Sequence, residues 1–194
     1  MIVPHFYENP QILHEHTMPA RAYFIPASVR RDDLIEHRER SDRFQLLDGE
    51  WDFRYYKSIY EVTEPFYAPG YDRTEFEKIT VPGMWQMAGY DRHQYTNIRY
   101  PFPFDPPYVP QDDPCGVYIR SFGYQKDEKA PKAFLNFEGV DSCFYVWLNG
   151  RYAGYSQVSH ATSEFEVTSY LQEGENILAG LGVERGGGAF LGGQ

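Results

Sequence analysis

The chain has 194 residues, a formal net charge of −10 and 18% aromatic residues, with 17 Tyr and 14 Phe. That length can bury a sizeable core, and ordinary apolar content with mixed charge excludes a disordered chain. The acidic balance argues against a nucleic-acid backbone or an anionic membrane as partner, whereas a neutral ligand such as a saccharide is compatible with it.

No apolar run approaches membrane-spanning length. The N-terminus MIVPHFYENP lacks a basic leader ahead of an apolar stretch, so a cytoplasmic location is expected. Cys115 and Cys143 stand apart without metal-ligand spacing, and Cys143 lies in an apolar run. A buried free thiol is therefore expected there rather than a bridge.

Residues 1–45 read as an extended arm. Pro4, Pro10, Pro19 and Pro26 interrupt it, no strand or helix period persists, and the charge-dense stretch 29–44 has room for a short helical turn only. Such an arm buries too little by itself to offset chain entropy, so it is expected to fold against another domain or a neighbouring subunit. From residue 46 onward the pattern changes. A turn at Asp48-Gly49 leads into a strand in which Trp51, Phe53 and Tyr55 alternate with Asp52, Arg54 and Tyr56. Further strands are expected over residues 76–81, 116–124 and 133–137. Residues 142–148 and 151–157 flank Asn149-Gly150, the dipeptide that favours tight hairpin turns. Residues 162–167 alternate again, 168–171 suit one helical turn, 173–176 suit a turn, and 176–183 close the series. Short strands with turn signals between them point to an all-β jelly-roll sandwich over residues 46–194.

Residues 81–114, VPGMWQMAGYDRHQYTNIRYPFPFDPPYVPQDDP, fit no ordinary core. Aromatic faces beside amides and hydroxyls suit a sugar, with C–H surfaces to stack and hydroxyls to bond. Asp105-Pro106-Pro107 and Asp112-Asp113-Pro114 read as rigid turns along its path. Trp51 and Trp147 lie at alternating strand positions and are expected in the core.

Catalytic signals are sparse. A retaining glycosidase needs two carboxyls about 5–5.5 Å apart. Glu138, after the strand 133–137, is the best-placed carboxylate, yet a surface or turn-supporting role is strongly favoured for it. No GxSxG or HExxH occurs, His14 and His16 sit together without a third ligand, and Gly186-Gly187-Gly188 lacks the Lys and Ser/Thr of a phosphate loop.

Several blocks resemble the N-terminal domain of family 2 glycoside hydrolases of the β-galactosidase type, in order and spacing. They are LLDGEWDFRYY, the stretch from Val81 through CGVY, FEGVDSCFYVWLNGRYAGYSQ and SEFEVTSYLQEGEN. The resemblance implies a jelly roll preceded by an arm, the first part of a longer chain that hydrolyses terminal β-D-galactosides with retention. The catalytic glutamates would lie in a downstream (β/α)₈ barrel, so this chain alone is expected to be inactive. It further implies that Asn97, in YTN, hydrogen-bonds sugar hydroxyls; His93 and Tyr95, beside that loop, are candidates for its rim, as is Trp85, for which packing beneath the loop is the favoured reading. The family's second loop reads SDGSYLEDQD, and its first Asp contacts sugar and sodium. Here the matching stretch is GGGAFLGGQ, with Gly187 at the Asp position and Gly192 and Gly193 in place of the acidic pair. The family uses magnesium and sodium, yet no metal is expected in this chain. Expected partners are a β-galactoside or related saccharide, the barrel and further copies of the full-length chain. The alternatives are a stand-alone carbohydrate-binding module and an assembly domain without catalysis.

Overall fold

The computed structural model describes residues 2–92, 103 and 105–186. Period-two alternation sets the local structure. In β2 (Gly49–Tyr56), Trp51 and Phe53 are buried while Asp52 and Arg54 lean outward, as the pleat requires. It follows β1 (His14–Glu15) and precedes β3 (Glu77–Val81), β4 (Cys115–Tyr124) and β5 (Phe134–Phe137). Then come β6 (Cys143–Leu148), β7 (Arg151–Ser156), β8 (Ser163–Glu166) and β9 (Gly174–Val183). Asn149 and Gly150 take φ values of 53° and 79°, the left-handed pair of a type I′ hairpin, between β6 and β7.

Among the described residues all pairings are antiparallel. One sheet has the order β1-β7-β6-β9-β4-β2-β3, and a second consists of β5 and β8. The sandwich expected from sequence is present, with unequal layers. Every residue of β6 is buried because the large sheet is covered on both faces, and such a strand loses its polar side. One core holds Val117, Ile119, Tyr145, Trp147, Tyr155 and Leu181 with Ile59, Val62 and Phe66. The other holds Trp51, Phe53, Trp85, Val146 and Leu178 with Phe165 and Val167 from the β8 side. Trp51 and Trp147 lie in these cores as expected. The closing strand begins at Gly174, two residues before its expected start, because Asn176 serves as a buried hub rather than a turn tip. Its side chain bonds Asn149, Gln172 and Gly174.

The first part of the arm folds onto this chain's own sheet. β1 extends the sheet through the register His14↔Ser156 and Glu15↔Tyr155. Val3 and Tyr7 are buried in the first core, and Tyr145 donates its hydroxyl proton to the Pro4 carbonyl at 2.6 Å. Gln157 donates to the carbonyls of Asn9 and Ile12, and the Met18 N–H reaches the Glu164 carbonyl. Burying one such side chain contributes roughly 1.5–3 kcal/mol towards the cost of ordering the arm. Farther along, Tyr23 and Arg38 both bind Glu138, and Gln45 donates to the Gly123 carbonyl. Glu138 is thereby a surface carboxylate that ties down the arm.

Candidate sugar-binding region

The aromatic–amide segment leaves the sheet after β3 and returns into β4. Cys115, at the start of β4, pairs with Val183 at the end of β9, and Val183 also pairs with Cys143 at the start of β6. Antiparallel pairing therefore brings the returning end of this segment beside the exit of β9. The first loop leaves from Val81, which pairs with Gly49 at the other end of β2, and crosses the sheet to return at Cys115.

At the outgoing end, Trp85 and Gln86 follow Pro82-Gly83. Trp85 is only 6% exposed, so it is turned into the core rather than set out as a rim platform. Its ring stacks near Phe53 at 6.2 Å between centroids and meets Tyr55 edge-on at 6.0 Å. Glycine makes room for it. A Cβ on Gly116 would stand 2.9 Å from the Trp85 ring and 2.4 Å from Phe53. Gly182, the cross-strand partner of Gly116, faces Tyr118 and Trp85 at 3.8 and 3.9 Å, ordinary contact distances. Only Gly116 is thus sterically required, which gives one of these strand glycines a packing reason.

The indole N–H of Trp85 and the amide of Gln86 both donate to one carboxylate oxygen of Glu184, at 3.0 and 3.1 Å. Burial pushes the Glu184 carboxyl above its usual range, and the nearby Asp91 adds to this. Asp91 itself accepts from the Tyr55 hydroxyl at 3.2 Å. At the returning end, Asp113 accepts the Arg185 N–H at 3.0 Å and the Asp112 carbonyl accepts from the Arg185 guanidinium at 3.2 Å. The Pro114 carbonyl takes the Glu184 N–H at 2.9 Å. Residues 184–185 thus fasten both ends of the segment.

Asn97, His93 and Tyr95 lie outside the described residues, as do Gly187, Gly192 and Gly193. His14 bonds Ser156 at 2.9 Å while His16 packs near Tyr152, so the two serve arm packing. Among the described residues, no three His, Cys, Asp or Glu side chains are grouped to hold a metal ion. Sequence reasoning overlooked Glu184, Asp91 and Asp113. Gln86 was within reach, since it stands in the WQ pair.

Residues 44–191 match the profile of the glycosyl hydrolases family 2 sugar binding domain. The chain belongs to this family. It is 46% identical over 191 residues to a β-galactosidase of Actinobacillus pleuropneumoniae, covering 98% of this chain and 18% of that protein. A β-galactosidase of Staphylococcus xylosus is 41% identical, with 98% and 19% covered. The chain thus spans about a fifth of the length of these curated relatives. A β-glucuronidase of Bifidobacterium dentium shares the fold, with a TM-score of 0.51 at 24% identity over 71% of this chain and 19% of that one. So does a β-glucuronidase from an uncultured Clostridium, with a TM-score of 0.52 at 21% identity over 71% and 21%. This chain is similar to the sugar binding domain that forms one part of longer family 2 hydrolases.

Proposed function

We propose that this domain works within a longer β-galactosidase that hydrolyses terminal β-D-galactosides with retention. The 46% identity to a β-galactosidase over 98% of the chain carries this reading. The domain supports the fold, and Asn97 completes the sugar subsite, because its amide both donates to and accepts from hydroxyls. The acid and the nucleophile come from a barrel outside this chain. The longer enzyme is cytoplasmic and oligomeric, and its magnesium and sodium are held by residues outside this chain.

The test is hydrolysis of nitrophenyl β-D-galactoside by the longer enzyme, compared with the glucuronide and mannoside. Galactoside should be preferred, and Asn97→Ala should raise KM about tenfold, the worth of roughly one hydrogen bond. Preference for glucuronide, or an unchanged KM in the variant, overturns the reading. The glycines at 187, 192 and 193 favour a second reading, a binding or assembly module without catalysis. An inactive longer protein that still binds galactose would support it.

A further inference from the structure

Asp113 is fully buried. One carboxyl oxygen accepts a single backbone N–H, that of Arg185, and the other is buried with no hydrogen-bond partner among the described residues. An ionised carboxylate has about four lone-pair sites to fill, so one donor leaves the charge badly under-solvated. Its neighbours do not make up the deficit. The Arg185 guanidinium favours the ionised form, while Glu184 and Asp112 oppose it. The thiols of Cys115 and Cys143 and the hydroxyl of Tyr7, from the arm, lie near enough to feel its charge, and burial holds all three protonated. The Asp113 carbonyl is separately fixed by the Ile59 N–H at 3.1 Å.

We propose that Asp113 works as a neutral acid, a positioning residue that fixes the returning end of the 81–114 segment against the exit of β9, and that its ionisation loosens this junction. Burial raises the Asp113 carboxyl well above its usual range, in keeping with the geometry. In the unfolded chain the group titrates near 3.9. Protonation in the fold therefore adds stability that is fully present below about pH 4 and fades as pH rises through the folded value. That the junction serves a sugar loop rests on the functional reading above; the proton on Asp113 does not.

The decisive experiment follows the Asp113 carboxyl carbon and the Arg185 amide by NMR in the 194-residue chain, from acid to alkaline pH, with Asp113→Asn for assignment. Asp113 should ionise at higher pH than an ordinary aspartate, and the Arg185 amide should shift only as Asp113 ionises. A midpoint at or below about 4, or an Arg185 amide that ignores the transition, overturns the proposal. In denaturation at pH 8, Asp113→Asn should match or exceed the native chain, whereas Asp113→Ala, which loses the acceptor, should fall below it. If Asp113→Asn is as damaged as Asp113→Ala, the charge itself is required and the proposal fails. Failure of the sugar-loop reading would appear instead in Asn97→Ala, leaving the Asp113 titration unchanged.

Discussion

Gly154→Ala tests whether the arm belongs to this domain's sheet. A Cβ at Gly154 would stand 2.4 Å from the Glu15 carbonyl oxygen of β1 and 2.6 Å from the Phe165 ring. The ring is locked beneath Phe144 and Phe137. The easier escape is for β1 to lift away, giving up the His14↔Ser156 and Glu15↔Tyr155 pairs. Overpacking of this kind costs about 1–3 kcal/mol. For a chain of this size, about 2 kcal/mol corresponds to a Tm loss of roughly 4–8 °C. Thermal unfolding by tryptophan fluorescence gives the first number. Tryptic cleavage at Arg21 reports the second effect, since a lifted β1 frees the arm that follows it. A variant that melts within about 1 °C of the native chain, with unchanged cleavage, would show that β1 does not sit on β7.

The hairpin and the thiols give two more expectations. Asn149→Ala puts at φ 53° a residue that tolerates the left-handed region less well than Asn and removes bonds to Tyr170, Asn176 and Ile177. It should cost about 2–3 kcal/mol in urea denaturation, with Asn149→Gly recovering about 1 kcal/mol, and a loss under about 0.5 kcal/mol would refute this account. Cys115 and Cys143 are buried, and burial pushes both thiols up, so a disulfide reagent at pH 8 should label them only after unfolding. Rapid labelling of the folded chain would contradict the packing.

The legible strands are those whose signal is local in the sequence. Trp51, Phe53 and Tyr55 announce β2, and Asn149-Gly150 announces the hairpin, because each signal resides in neighbouring residues. β1 gives no such signal. Two residues are too few for a period, and the partner that holds them lies more than a hundred residues away. Asn176 misleads for a related reason, since a turn-forming residue type is here consumed by four side-chain bonds within the fold. The candidate site divides in the same way. Its loop is recognisable from composition, and Trp85 is readable as packing. Glu184 and Asp113 matter only through contacts made across the sheet, and Asp112-Asp113-Pro114 looks like a plain turn until β9 is laid beside it.

The position of β9 bears on how the molecule is made. The strand emerges late in this sequence yet lies between β4 and β6, pairing with both. Until it is synthesised, those two strands present unpaired edges, the kind of surface that recruits stray strands from other chains. At ordinary translation speeds the gap between the end of β4 and the start of β9 lasts on the order of seconds. Closure of the sheet therefore waits on a late segment, and chaperone shielding would matter most in that interval.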